Sequence, residues 1–457
     1  MPDPAQLFID GIGAGAVLSG DDIKDDYCHD EALTADPVCP VAVVLPSSTE
    51  DVVKIVQIAS EHGIPVTARG AGTGMSGACR PVESGIVVSF ERMNQILEVD
   101  RDNFVAVVQP GVQLDQLDEA LAPSGMAYQV YPGEYSATLG GNVSTNAGGM
   151  RAVKYGVTRH HVLGLQAVLA TGEAIRTGGK IVKVSTGYDL TQLIVGSEGT
   201  LALVTEATLK LYPRACHGAT VLAPFPTIEG VTGAVPKIVA SGVGPQILEY
   251  IDMLTMAAAT SFVGLDLGIP EEVKSSALAY LVVAIESMHA DRLDADVAAV
   301  SEMLFELGAI DAYVLPPHAA ASLIDAREKA FWVAKANDAD DIVDVVVPRA
   351  AIPAFMSTVA GIAADNGAWI AGCGHAGDGN VHMAVFQKDA EVRSRIMRSL
   401  FEAGMSLGGA ISGEHGLGTE KKKYFLQLED PTKIELMRRI KAAFDPAGIL
   451  NPGKIFD

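Results

Sequence analysis

The residues best suited to chemistry are two histidines in Gly374-His375-Ala376-Gly377-Asp378-Gly379-Asn380-Val381-His382 and an acid–histidine pair in Ser412-Gly413-Glu414-His415-Gly416-Leu417-Gly418. Two imidazoles and one carboxylate are the donor types of an open three-ligand metal site, and His415 stands next to the carboxylate to serve as a base. Seven positions separate His375 from His382, an odd step that sends side chains to opposite faces of an unbroken strand. The Gly-Asp-Gly between them is a turn signal, however, and a hairpin can return both rings to one side. Two ordinary histidines on a polar hairpin are the competing reading.

The elements that must position these groups belong to a chain of 457 residues, long enough for two or three domains. No run of eighteen apolar residues occurs, so no spanning helix is expected. The formal charge of −23 argues against nucleic acid or an anionic membrane as partner. An anionic small substrate then needs a local cationic pocket. Cys28, Cys39, Cys79, Cys216 and Cys373 are dispersed, with no C-x-x-C pair, which favours reduced thiols and excludes an iron–sulfur cluster of usual pattern. The start, Met1-Pro2-Asp3-Pro4, has neither a basic n-region nor an Arg-rich leader. The expectation is a cytoplasmic protein.

Residues 3–18 carry helical spacing of Leu7, Phe8, Ile12, Val17 and Leu18. Gly11-Ile12-Gly13-Ala14-Gly15-Ala16 imitates a dinucleotide fingerprint, but no strand precedes it, so that reading is rejected. From Val41 the rhythm is strand, helix at about 50–62 after the capping Ser47-Ser48, and a second strand at Ile64-Pro65-Val66-Thr67. That strand runs into Arg69-Gly70-Ala71-Gly72-Thr73-Gly74-Met75-Ser76-Gly77-Ala78. Four glycines within the eight residues 70–77 let backbone N–H groups converge on an anion, as in a pyrophosphate cradle. A flexible surface loop is the alternative. No G-K-[ST] follows, so it is not a P-loop.

A strand at 104–109 and a helix at 113–121 lead to a second glycine-rich block. It holds Tyr131-Pro132-Gly133 and Ser136-Ala137-Thr138-Leu139-Gly140-Gly141-Asn142-Val143-Ser144-Thr145-Asn146-Ala147-Gly148-Gly149. A third is Val195-Gly196-Ser197-Glu198-Gly199-Thr200-Leu201-Ala202-Leu203-Val204. Small hydroxyl and amide side chains beside glycine suit a long, flat ligand rich in hydrogen bonds. After Leu211-Tyr212-Pro213-Arg214 the glycine density falls. Strands near 246–251, 279–286, 309–315, 342–347, 368–373 and 381–386, with helices at 291–307 and 353–366, suggest an antiparallel sheet covered by helices.

The three blocks together resemble the flavin-binding domain of the vanillyl-alcohol-oxidase (p-cresol methylhydroxylase, PCMH) superfamily. They are most similar to its FAD-linked D-2-hydroxyacid dehydrogenase family, the glycolate oxidase, D-lactate dehydrogenase and D-2-hydroxyglutarate dehydrogenase branch. The resemblance runs from about residue 40 to the end and includes Asp445-Pro446-Ala447-Gly448-Ile449-Leu450-Asn451-Pro452-Gly453-Lys454. It implies an α+β protein, with a PCMH-type FAD-binding domain and an antiparallel-sheet cap, or substrate, domain covered by helices. The implied segments are an N-terminal helical piece (1–39), the FAD domain (40–213), the cap with the metal site (214–425) and a return to the FAD domain (426–457).

By the same resemblance, Arg69, Gly70, Ala71, Gly72, Thr73, Gly74, Met75 and Ser76 cradle the pyrophosphate. Pro132, Gly133, Ser136, Thr138, Gly141, Asn142, Thr145 and Gly148 line the diphosphate and isoalloxazine. Glu198, Gly199 and Val204 hold the adenosine end, and Asn451 lies near the cofactor. Some relatives attach flavin through a histidine in the first loop. Met75 precedes Ser76 here, so FAD is expected to be non-covalent. The H-x-G-D-G-N-x-H and G-E-H-G-x-G motifs imply a divalent metal, Zn or Mn, on His375, His382 and Glu414. They also imply His415 as base and Arg327 as carboxylate clamp.

A metal-bound hydroxyl is easier to deprotonate, His415 can take its proton, and a planar guanidinium matches a carboxylate. For Arg327 and His415 the alternatives are a helix-surface arginine paired with a local acid and a loop histidine bonded to backbone. Lys421-Lys422-Lys423 either adds positive potential near the pocket or forms a solvated face, the second reading being favoured. The hydroxyglutarate-oxidising branch carries Asn two places after the second metal histidine and Thr four places after the clamp; this chain has Ala384 and Phe331. Both changes remove polar partners for a second carboxylate and favour D-lactate or glycolate.

The implied activity is FAD-dependent, metal-assisted oxidation of a D-2-hydroxy acid to the 2-oxo acid. Electrons would pass to an external acceptor such as a quinone, a cytochrome or an electron-transfer flavoprotein, with a homodimer left open. The alternatives are D-2-hydroxyglutarate dehydrogenase, a metal-free FAD alcohol oxidase and a flavin-carrying subunit of a larger complex.

Overall fold

The computed structural model describes residues 3–456; Met1, Pro2 and Asp457, at the ends of the expected terminal segments, lie outside the described residues. Contacts divide the chain into two units. The first comprises Met1–Ala147, Val157–Arg214 and Glu414–Asp457, and the second Gly148–Gly156 and Ala215–Gly413. The boundaries differ from those expected in three places, the first being Gly148–Gly156, which lies inside the expected FAD domain and groups with the second unit. The chain re-enters the first unit at Glu414 rather than at 426. The N-terminal helix, Pro4–Ile12, is part of the first unit's core, because Ala5 and Phe8 are buried with Ala42, Val44 and Ile55. Its helical pattern stops early: Gly13 takes φ 94°, and Val17–Leu18 then forms a strand pairing with Val43 and Val44.

In the first unit Ala42–Val44, Ile86–Ser89 and Val66–Arg69 form a parallel set, with Val17–Leu18 antiparallel at one edge. The helix Thr49–His62 begins where the Ser48 hydroxyl accepts from Asp51 N at 3.1 Å, and ends at left-handed Gly63. Its buried residues Val52, Ile55, Val56 and Ala59 recur at helical spacing, so one stripe faces the core. A five-stranded antiparallel sheet follows, ordered Ile96–Asp100, Val105–Val108, Ala202–Lys210, Val162–Leu169 and Ala174–Gly178.

The second unit is built on a seven-stranded antiparallel sheet. Its order is Tyr313–Val314, His217–Phe225, Ala279–Ser287, Ile247–Asp252, Trp369–His375, Asn380–Phe386 and Asp341–Val346. The expected strand at 309–315 shrinks to Tyr313–Val314, and the strand His217–Phe225 was not anticipated. Pro224 argues against a strand inside a sheet, yet it sits opposite Tyr280. The helices Met253–Val263 and Pro317–Glu328 bury Met256, Ala320 and Leu323 in one cluster with Ile251 and Cys373. Ile228–Ala240, Ala290–Glu306, Ile352–Asp365 and Ala390–Ser406 also pack on this sheet. Among the described residues no helix is long and apolar enough to cross a membrane. All five cysteines are free thiols.

Candidate active site

The hairpin of Trp369–His375 and Asn380–Phe386 carries the two histidines. Its register sets Cys373 opposite His382. Residues directly opposite share a face, as do residues two apart on one strand, so His375 and His382 project from the same side. The turn closes because Asp378 N and Gly379 N both donate to His375 O, at 3.0 and 3.1 Å. Gly379 has φ 95° and lies where a Cβ would run into Val347 O, so this position needs glycine. The ring centroids are 4.8 Å apart at 76°. Each ring also offers a nitrogen within 4.8 Å of one on the other, a spacing two ligands of one cation can take.

The neighbouring strands bring one acid to each histidine. Asp344 is directly opposite His382, and Tyr250 opposite Gly374 puts Glu249 beside His375. Both acids are buried, Glu249 being 1% and Asp344 0% exposed. Glu249 Oε1 accepts from His375 Nδ1 at 2.6 Å. Its Oε2 forms an ion pair with Arg327 Nη2 at 2.7 Å. Asp344 Oδ1 accepts from Asn380 Nδ2 at 2.8 Å and stands 3.7 Å from His382 Nδ1. Its Oδ2 accepts from Ser412 Oγ at 2.7 Å and Gly413 N at 3.1 Å.

Neither acid was singled out from the sequence. The signal was there: one carboxylate in each of the apolar runs Ile247-Leu248-Glu249-Tyr250-Ile251 and Ile342-Val343-Asp344-Val345-Val346. Arg327 sits in the last turn of Pro317–Glu328 and is only 8% exposed, not on a helix surface. Phe331 packs edge-on against Trp332, with centroids 5.2 Å apart. Ala384 lies two residues beyond His382, on the same face of its strand.

Glu414 and His415 open the chain's return to the first unit, immediately after Gly413. Behind them, Gly416 O accepts from Ser76 Oγ at 3.1 Å, so this return segment is tied to the first glycine loop. Leu417 N and Gly418 N donate to the two Glu198 oxygens, at 2.7 and 2.8 Å. The Glu198 carboxyl is thus engaged by backbone of the return segment. Burial raises its pKa, and the Leu417 and Gly418 N–H groups and the charges of Lys421 and Lys454 oppose that rise. Lys421, expected on a solvated face, is instead buried at 4% exposure. Lys454 is buried as well, which pushes its ammonium down to about 8.

Seven of the expected flavin residues meet within the first unit. Arg69, Gly70, Gly141, Thr145, Glu198, Gly199 and Val204 line one cleft there. Gly70 lies so close to Thr138 Oγ1 that a Cβ would collide with it, which lets the first and second glycine blocks meet. Thr138 starts the helix Leu139–Thr145, which carries Gly141, Asn142 and Thr145. Arg69 Nη1 donates to His29 O at 2.6 Å. The Ser136 hydroxyl donates to Glu134 Oε1 at 2.8 Å. Pro132 and Gly133 lie in the segment leading to that helix, and Ala71 through Ser76 in the loop after Val66–Arg69. Gly148 groups with the second unit instead.

Two buried polar atoms, Asn142 Nδ2 and Asn451 Oδ1, have no hydrogen-bond partner among the described residues. A buried amide donor and a buried amide acceptor are the group types that pair with a flavin nucleotide's polar edge. Asn451, at φ 42°, also donates through Nδ2 to Ala78 O at 3.0 Å and Glu198 O at 2.7 Å. Replacing Asn451 with alanine is expected to cost about 2–3 kcal/mol, since two buried carbonyls lose their donor. Thermal denaturation with flavin content is the check; unchanged melting would contradict this placement.

Comparisons with known proteins identify the family. Residues 40–178 match the model described as FAD binding domain, and residues 215–455 match FAD linked oxidases, C-terminal domain. An uncharacterized FAD-linked oxidoreductase of Mycobacterium tuberculosis is 60% identical over 456 residues, covering 100% of this chain and 99% of the relative. A D-lactate dehydrogenase of Archaeoglobus fulgidus is 40% identical over 440 residues, covering 94% and 96%. The crystal structure of p-cresol methylhydroxylase with substrate bound superposes with a TM-score of 0.80 at 18% identity, covering 99% of this chain and 96% of that one. The chain belongs to the FAD-linked oxidases, in their hydroxyacid dehydrogenase branch, and is an oxidoreductase with a PCMH-type FAD-binding fold.

Proposed function

We propose that this protein oxidises a short D-2-hydroxy acid, D-lactate or glycolate, to the 2-oxo acid, with help from a divalent cation, Zn or Mn. The supporting observation is the pair His375 and His382 on one sheet face, each with a buried acid beside it. His375, His382 and Glu414 would hold the cation, the last as the residue following Asp344-bound Gly413. When bound, FAD accepts a hydride and the cation makes the substrate hydroxyl more acidic.

The side chains divide the remaining work. His415 takes the hydroxyl proton as general base. Arg327 pairs with the substrate carboxylate and so sets which face of the α-carbon is presented. Its pairing with Glu249 holds the guanidinium in place. Ala384 and Phe331 offer no polar partner for a second carboxylate, which favours a monocarboxylate. The D-lactate dehydrogenase name of the archaeal relative points the same way.

The test is anaerobic mixing of the flavin-loaded protein with a panel of D- and L-2-hydroxy acids. Flavin bleaching by D-lactate or glycolate is expected, with D-2-hydroxyglutarate at least ~10-fold slower. A panel in which no 2-hydroxy acid bleaches the flavin would sink the reading.

A further inference from the structure

We infer that Glu249 is the positioning residue that couples the cation site to the carboxylate clamp, an inference that rests on the function proposed above. A single buried carboxylate serves two partners from different elements. Oε1 receives His375 Nδ1, 2.6 Å away on the neighbouring strand, and Oε2 lies 2.7 Å from Arg327 Nη2 on the helix Pro317–Glu328. A carboxylate accepts and does not donate, so the shared proton sits on Nδ1 and Nε2 keeps the lone pair for a cation. A carboxylate behind a ligating imidazole also orients the ring and raises its basicity. The same charge holds Arg327 against the sheet.

The strand register makes this arrangement hard to replace. Glu249 is carried on Ile247–Asp252, whose pairing of Tyr250 with Gly374 and Ile251 with Cys373 fixes which side chain meets His375. Glutamine at this position can still accept from Nδ1 through its one carbonyl oxygen, but it then turns an amide N–H₂ group toward a guanidinium. Aspartate keeps the charge and is one methylene too short to reach both partners.

The test uses the flavin-loaded protein stripped of divalent metal, titrated calorimetrically with Zn²⁺ and with Mn²⁺, beside steady-state kinetics on D-lactate. The wild type is measured first: if it binds neither ion, the proposed function itself fails, before any variant is read. Given a metal-binding wild type, Glu249→Gln is expected to weaken metal binding ~10–100-fold and to raise KM, with flavin content unchanged. Excess metal is expected to restore kcat and leave KM raised, because Arg327 stays displaced. Glu249→Asp is the second variant, carrying the test if Glu249→Gln does not fold, and it is expected to show the same two losses. Wild-type metal affinity or wild-type KM in either folded variant overturns the inference. Failure of both variants to fold makes Glu249 a structural ion pair only, and overturns it as well.

Discussion

Replacing His382 with alanine is expected to lower kcat/KM for the preferred acid by ~10³-fold or more, with divalent metal lost and flavin content unchanged. His382 is the better of the two histidines to remove. Its acid, Asp344, keeps the donors Asn380 Nδ2, Ser412 Oγ and Gly413 N, so no buried carboxylate is left bare. Removing His375 instead takes from Glu249 its hydrogen bond at 2.6 Å, which mixes a folding defect with the chemical one. Kinetics, metal analysis and flavin absorbance on the same preparation make the measurement. A His382→Ala protein with near wild-type turnover would mean the imidazole is not a ligand.

Replacing Arg327 with methionine is expected to act on both binding and stability. The loss of a carboxylate partner should raise KM ~10²-fold, equivalent to about 3 kcal/mol. The buried charge of Glu249, left without its ion pair, should cost about 3–5 kcal/mol of stability. Arg327→Lys separates the two effects. A lysine can neutralise Glu249 but lacks the planar fork, so stability should return towards wild type while KM stays raised. If lysine restores KM as well, Arg327 supplies only charge, and the clamp role is wrong.

The hairpin of the site was legible because its turn glycines and apolar strands lie within a dozen residues of each other. The first two flavin loops were legible for a related reason, since one follows directly from a strand and the other starts a helix. What could not be read was which distant strand stands beside which histidine. Glu249 and His375 are separated by 126 positions and Asp344 and His382 by 38 (382 − 344), and that pairing is set by sheet register.

The helix Met253–Val263 was missed because Met253, Leu254, Met256, Phe262 and Val263 mark no single apolar stripe. Lys421 was misplaced because three consecutive lysines look solvated, whereas this one is drawn inside towards buried Glu198. Arg327 shows both limits at once. Its expected role came from a motif, while its buried partner lies 78 positions upstream (327 − 249) on a strand.

The most direct measurement of the central claim is flavin reduction in the presence and absence of metal. Protein freed of divalent ions by chelation, with FAD retained, is mixed anaerobically with D-lactate and followed by flavin absorbance. The account predicts that bleaching slows by ~10³-fold and recovers on adding Zn²⁺ or Mn²⁺. Bleaching at an undiminished rate in demonstrably metal-free protein would contradict it.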